Sequence, residues 1–111
     1  MLIKEHFLNF IRVNKPSSED IIVATFYKFT ELNRIKEIKK IFNDYLRPLK
    51  IKGTIILAQE GVNGTIAGQK ICLLSFFEKL LKFKKINNLH PKFSLCSKNP
   101  FLRMKIKIKK E

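Results

Sequence analysis

The sequence predicts an α+β fold of ferredoxin-like type, with the element order β-α-β-β-α-β. Two amphipathic helical segments alternate with strand-forming runs. The last strand, residues 101–110, alternates apolar and basic side chains with period two. Right-handed crossovers then place both helices on one face of a four-stranded antiparallel sheet and leave the other face open.

The first strand is expected at residues 21–29, IIVATFYKF, because the run is rich in β-branched and aromatic residues. A helix follows, with Thr30 as its N-cap and an apolar stripe that continues to about Leu46, before Pro48. The second helix is expected at roughly residues 70–83, with a wide apolar stripe of Leu and Phe.

Residues 52–68, KGTIILAQEGVNGTIAG, predict a β-hairpin. Strands are expected at residues 54–58 and 65–67. We place the turn at Asn63-Gly64, because both residues tolerate the positive φ that matches the twist of paired strands.

The loop of this hairpin contains the candidate residues Glu60, Gly61, Asn63 and Gly64. Neither G-x-x-x-x-G-K-[ST] nor G-x-G-x-x-G is present, so we interpret the glycines as turn residues and not as a phosphate-binding loop. Glu60 keeps two interpretations, a functional carboxylate or a hydrogen-bond acceptor for loop amides.

The open face of the predicted sheet is expected to carry a basic stripe. The apolar side of the last strand must meet the helices, so its basic side faces outward. The basic residues are Arg103, Lys105, Lys107 and Lys109. Parity on the first strand allows two outward sets, either Val23, Thr25, Tyr27 and Phe29 or Ile22, Ala24, Phe26 and Lys28. We favour the first set, with Tyr27 near the lysines.

The formal net charge of +14 indicates a polyanionic partner, above all nucleic acid. Lysine supplies nearly all of the positive charge. We therefore attribute part of the excess of positive over negative residues to a lysine-rich composition and not to a binding surface. Lysine suits phosphate contact better than base reading. Lys50 and Lys52, at the entry to the hairpin, are further candidates for such contacts.

We expect one domain, residues 21–111, after a leader of residues 1–20. No apolar run approaches the length of a bilayer span and no secretory signal is present, which predicts a cytoplasmic protein without membrane contact. Cys72 and Cys96 fit neither a disulfide scaffold nor a zinc spacing. We assign no catalytic residue, metal ligand or cofactor to this chain.

Three blocks of the sequence together resemble one known family. They are residues 24–29 (ATFYKF), 52–68 and 100–111 (PFLRMKIKIKKE). The combination resembles the N-terminal, acylphosphatase-like domain of the bacterial tRNA uridine(34) hydroxylases. These rhodanese-domain proteins form 5-hydroxyuridine at the tRNA wobble position with molecular oxygen. The resemblance covers residues 21–111.

The resemblance implies that the catalytic chemistry lies outside this chain. In the family a rhodanese domain with the essential cysteine loop follows, and we expect that domain to be absent here. No C-x-x-x-x-[RK] loop begins at Cys72 or Cys96. Two departures are Gln59, where the family more often has Pro, and Val62, where Ile is usual.

Three functions remain open at this stage. The first is a tRNA-binding module, in which Tyr27 either stacks on an unpaired base or packs against another domain. The second is a scaffold whose open face docks on its own C-terminal rhodanese domain. The third, acylphosphatase activity, rests on fold analogy alone. Residues 28–34, where an acylphosphatase binds phosphate, disfavour this activity because they contain no glycine and include the carboxylate of Glu31. Arg34 and Asn43 are the only candidate pair for binding a phosphate group.

Overall fold

The computed structural model describes residues 1–110, which form three helices packed on one face of a five-stranded sheet. The helices are α1 (Ile3–Asn14), α2 (Ile35–Leu46) and α3 (Lys70–Leu80). The strands are β1 (Ile21–Phe29), β2 (Lys52–Ala58), β3 (Gly61–Gly68), β4 (Lys92–Cys96) and β5 (Met104–Ile108).

The strand order across the sheet is β4-β1-β3-β2-β5, and every pair is antiparallel except β2 with β5. The predicted α+β class with one open face is confirmed. The prediction of four strands, all antiparallel, and two helices was wrong in detail, because the structure has five strands, one parallel pair and three helices within residues 1–110. Residues Lys92–Cys96 pair with the free edge of β1, the position that a four-stranded arrangement gives to its last strand. The final strand therefore joins the opposite edge, parallel to β2.

The extra helix, α1, lies within the expected leader and packs into the same hydrophobic core. Ile3 and Phe7 are fully buried. The Phe7 ring centroid lies 5.0 Å from that of Phe77 on α3 and 5.2 Å from that of Phe93 on β4. The Ile3 N–H also donates to the Asn87 carbonyl at 2.7 Å. These contacts make α1 part of the packed helical layer.

The link between β1 and α2 is not helical, so the expectation that Thr30 caps the helix was wrong. The N-cap position belongs to Arg34, which has a left-handed φ of 55°. The N–H groups of Thr30 and Leu32 donate to the carbonyls of Glu60 and Gln59 at 3.0 and 2.9 Å. These amides hold the chain against the β2–β3 turn, and that pairing competes with an earlier helix start.

The turn of the hairpin is Gln59-Glu60, so the prediction of a turn at Asn63-Gly64 was wrong. Asn63 and Gly64 lie inside β3, with β1 on one side and β2 on the other. A Cβ at Gly64 would lie 2.6 Å from the Thr54 carbonyl oxygen of β2 and 3.1 Å from the Phe26 ring. This glycine therefore allows the backbone of β2 to approach closely, and it does not form a turn.

The core lies between the helices and the inner face of the sheet, and it is wholly apolar. Within residues 1–110, every buried side chain is hydrophobic. The Phe42 ring of α2 packs edge-on against Phe76 of α3, with ring centroids 5.8 Å apart. Groups capable of polar chemistry are therefore on the surface, and the open face is the broadest surface without a covering helix.

We predict that Phe7→Ala lowers the free energy of unfolding by about 3–5 kcal/mol, because it leaves a cavity beside the rings of Phe77 and Phe93. Leu8→Ala is the matched control, since Leu8 is the next residue on the same helix and is 41% exposed. It should change stability by less than about 1 kcal/mol. Urea unfolding measures both. Equal stabilities of wild type and Phe7→Ala would contradict the integration of α1 into the core.

We predict that Gly61→Ala destabilises the hairpin by about 3 kcal/mol or more. Gly61 has φ of 150°, and a Cβ there would lie 2.0 Å from the Lys28 carbonyl oxygen. Gly68→Ala is the control at the far end of the same strand, where the nearest atom lies at 3.1 Å and φ is not positive. Thermal unfolding should rank wild type, Gly68→Ala and Gly61→Ala in that order of decreasing stability.

Candidate nucleic-acid interface

The candidate interface is the open face, the side of the sheet opposite the three helices. The strand register places its side chains in rows that cross the sheet. The tyrosine row consists of Tyr27, Asn63, Ile56 and Lys107. The threonine row consists of Lys92, Thr25, Thr65, Thr54 and Lys105.

The parity prediction for β1 is confirmed. Ile22, Ala24 and Phe26 are buried towards the helices. Tyr27 and Phe29 lie on the open face with 74% and 81% of their surface exposed. Their rings meet edge to face with centroids 6.0 Å apart. Two adjacent aromatic side chains this exposed are uncommon in a sheet and indicate a surface that meets a ligand or partner.

The basic side of β5 also faces outward, as the alternation predicts. Lys105 and Lys107 are exposed, whereas Ile106 between them is buried. Backbone pairing with β2 extends past both ends of β5, through the carbonyl of Arg103 and the N–H of Lys109. The regular alternation therefore places all four basic residues on the open face. None of the five strands contains an Asp or Glu.

The distance between Tyr27 and the β5 lysines is larger than the sequence suggested. β3 and β2 separate β1 from β5, so three strand spacings, about 14 Å, lie between Tyr27 and Lys107. The expectation that Tyr27 lies near the stripe therefore holds only for Lys109, which lines a depression together with Tyr27 and Phe29. The topology explains the difference, because β5 pairs with β2 and not with β1.

The remaining sequence candidates lie around this face. Lys52 is the first residue of β2 and is exposed, and Lys50 is exposed two residues before it. Glu60, in the hairpin turn, has its carboxylate 3.8 Å from the Lys109 Nζ, with both groups largely exposed. That separation makes a weak ion pair. The loop contacts at the turn use the Glu60 carbonyl rather than its carboxylate.

The residue pair proposed for an acylphosphatase site does not form a site. Arg34 lies at the start of α2 and its guanidinium is 3.8 Å from the Glu37 carboxylate. Asn43 is exposed nine residues further along, about 13 Å by helical rise. The pair therefore cannot hold one phosphate group between them.

The connection between β4 and β5 adds residues that the sequence reasoning missed. It crosses the open face, where the Asn99 amide donates to the Ala67 carbonyl at 3.0 Å and the Phe101 N–H donates to the Asn99 side chain. The Phe101 ring lines a depression beside the threonine row. The Asn99-Pro100 turn signal marked the loop, but no local pattern indicates which face a long connection crosses.

The sequence expectations also concern the two cysteines, the groups that could ligate a metal and the helices. Cys72 and Cys96 are free thiols of intermediate burial. No group of three or more His, Cys, Asp or Glu residues within residues 1–110 is placed to hold a metal ion. No helix in that range has the length and apolar character that a membrane crossing requires.

Comparison with known proteins identifies the sequence relatives. Residues 21–111 match the model of a family described as the UPF0176 acylphosphatase like domain. A tRNA uridine(34) hydroxylase of Legionella pneumophila (strain Corby) is 42% identical over 93 residues, which cover 84% of this chain and 37% of that protein. The tRNA uridine(34) hydroxylase of Ehrlichia ruminantium (strain Welgevonden) is 42% identical over 92 residues, covering 81% and 33%. The chain thus spans about a third of these relatives.

Solved structures support the fold. The dark-state structure of BlrB, a BLUF protein, matches with a TM-score of 0.66 and 15% identity, covering 83% of this chain and 75% of that one. An acylphosphatase from Coxiella burnetii matches with a TM-score of 0.52 and 7% identity, covering 82% and 94%. At these identities the likeness concerns the fold alone.

Proposed function

We propose a tRNA-binding role in the hydroxylation of uridine 34 for this chain, which belongs to the UPF0176 acylphosphatase-like domain family. Curated relatives at about 40% identity are named tRNA uridine(34) hydroxylase. The chain spans about a third of their length, so we assign it a part of the activity and not the whole.

The observation that carries this proposal is the outward basic side of β5. Its side chains repeat about every 7 Å along an edge strand. The five strands contain no carboxylate that would repel phosphates. Lysine and arginine side chains arranged in this way contact a nucleic-acid backbone and position it without reading its sequence. Lys52, on the neighbouring strand, extends the same surface.

The proposal separates binding from chemistry. This chain holds the tRNA, and a rhodanese domain of the same protein carries out the hydroxylation with molecular oxygen as co-substrate. We place the reaction in the cytoplasm, where tRNA is available.

A second candidate function is favoured by the exposed rings of Tyr27 and Phe29. A rhodanese domain docked on the open face would cover both rings and gain apolar burial. In that arrangement the chain shapes the catalytic domain and the basic residues make no direct RNA contact.

The double variant Lys105→Gln/Lys107→Gln tests the RNA-binding role. We expect weaker binding of tRNA and a log–log salt dependence that is shallower by roughly 1.5 units, because two phosphate contacts are lost. The matched control is Lys36→Gln/Lys40→Gln, which removes the same charge from exposed positions of α2. Fluorescence anisotropy of labelled tRNA at several salt concentrations measures both.

An equal loss of affinity in the two double variants would show that only the total charge matters, and it would contradict an interface on β5. Failure of the wild-type chain to bind tRNA at low salt would overturn the proposed role itself.

The docking alternative is tested by Phe29→Ala. If the open face docks on a rhodanese domain, this variant should weaken association with the separately produced rhodanese domain of a family member at least fivefold, the effect of losing about 1 kcal/mol. Ile71→Ala is the control, since Ile71 is an apolar residue of α3, on the opposite side of the sheet, with 71% exposure. Isothermal calorimetry measures the association, and equal affinities would count against docking through this face.

A further inference from the structure

We propose that the centre of the open face is a site for one unpaired nucleobase of an RNA strand, stacked on Tyr27 and hydrogen-bonded by Asn63. This inference rests on the proposed tRNA-binding function and gives it a specific contact. It concerns the depression between the tyrosine row and the threonine row. The basic residues of β5 lie beside this depression and do not line it.

The depression has the size and lining of a small-ligand site. Its volume is about 480 Å³, within the range of roughly 300–1,000 Å³ that such sites occupy. The Tyr27 ring and the Phe101 ring both line it. The remaining lining residues include Thr25, Thr54, Ile56, Asn63 and Thr65. Aromatic rings above a polar floor suit a planar base, which has apolar faces and a polar edge.

Tyr27 is restrained in a way that suits stacking. Its ring meets Phe29 at an interplanar angle of 71°, so Phe29 supports the ring through an edge contact and does not cover it in a parallel stack. With 74% of its surface exposed, Tyr27 keeps room for a base. Base–aromatic stacking tolerates any base, because every base has a π face.

Asn63 supplies the hydrogen-bonding group. It is exposed in the middle of β3, beside Tyr27 in the tyrosine row. Within residues 1–110 the side-chain amide of Asn63 makes no hydrogen bond to another residue. A carboxamide offers one acceptor and two donor hydrogens, which matches the mixed edge of a nucleobase. The hydroxyls of Thr25 and Thr65, 3.2 Å apart, add further polar groups to the floor.

The charge distribution identifies RNA as the occupant. Lys92 and Lys105 stand at opposite ends of the threonine row, and Lys107 ends the tyrosine row. The centre between them is uncharged. A strand that crosses the sheet would therefore place phosphates over cations and a base over the polar centre. A hydrophobic protein surface would instead bury the side-chain amide of Asn63 without a partner, which is unfavourable.

Tyrosine fluorescence provides a direct test. The chain has no Trp and two Tyr, so Tyr45→Phe leaves Tyr27 as the only tyrosine. We expect titration with oligouridylate at low salt to quench this fluorescence. An abasic ribose-phosphate strand of equal length should bind through its phosphates without the same quenching.

Substitutions test the two named contacts. Tyr27→Ala should weaken oligouridylate binding roughly 5- to 150-fold, and Tyr27→Phe, which keeps the ring, should retain most of the affinity. Asn63→Leu should also weaken binding, whereas Asn9→Leu, at an exposed position of α1, should have no effect. The salt dependence should stay unchanged in all four variants, because none of them removes a cation.

The outcomes separate this inference from the proposed function. Binding with a normal salt dependence, but with no quenching and no effect of Tyr27→Ala or Asn63→Leu, would overturn the base site and leave tRNA binding intact. Equal affinity for the abasic strand would do the same. No binding of either strand, or of tRNA, would overturn both.

Discussion

The antiparallel pairing of β1 with β3 is the contact on which the rest of the structure depends. Eight residue pairs join the two strands at the centre of the sheet. β4 is added to the outer side of β1, and β2 with β5 to the outer side of β3. A slip of one residue would turn Phe26 outward and Tyr27 into the core, so the burial of Phe26 fixes the register.

This pairing also divides the protein into two surfaces with different roles. The inner face buries only apolar side chains against the helices, so it provides stability and no chemistry. The outer face carries the polar and charged side chains of the alternating strands except Lys28, which has the inward parity of β1 and donates to the Asn88 side chain. α1, which precedes the family match, adds burial through Phe7 to the inner layer alone. The outer face is built entirely from residues inside the matched region.

The sequence predicted those features that depend on local periodicity. Alternation in β1 and β5 gave the correct faces for Tyr27 and Lys105, because side-chain direction in a strand follows from parity alone. The turn was mispredicted because Asn63-Gly64 has high turn propensity, whereas in the structure both residues pair with β1 on one side and with β2 on the other. The separation of Tyr27 from Lys107 depends on strand order, which is set by long-range pairing that no local pattern contains.

The lysines of β5 have a consequence beyond any bound ligand. β5 is an edge strand, and its outer N–H and C=O groups are free to pair with a strand from another molecule. Two copies that met along this edge would bring Lys105 and Lys107 close to the same residues of the neighbour. Their mutual repulsion opposes continuous sheet formation between molecules. The alternation that gives the strand its inner apolar side and outer basic side thus also keeps the edge of the sheet from growing.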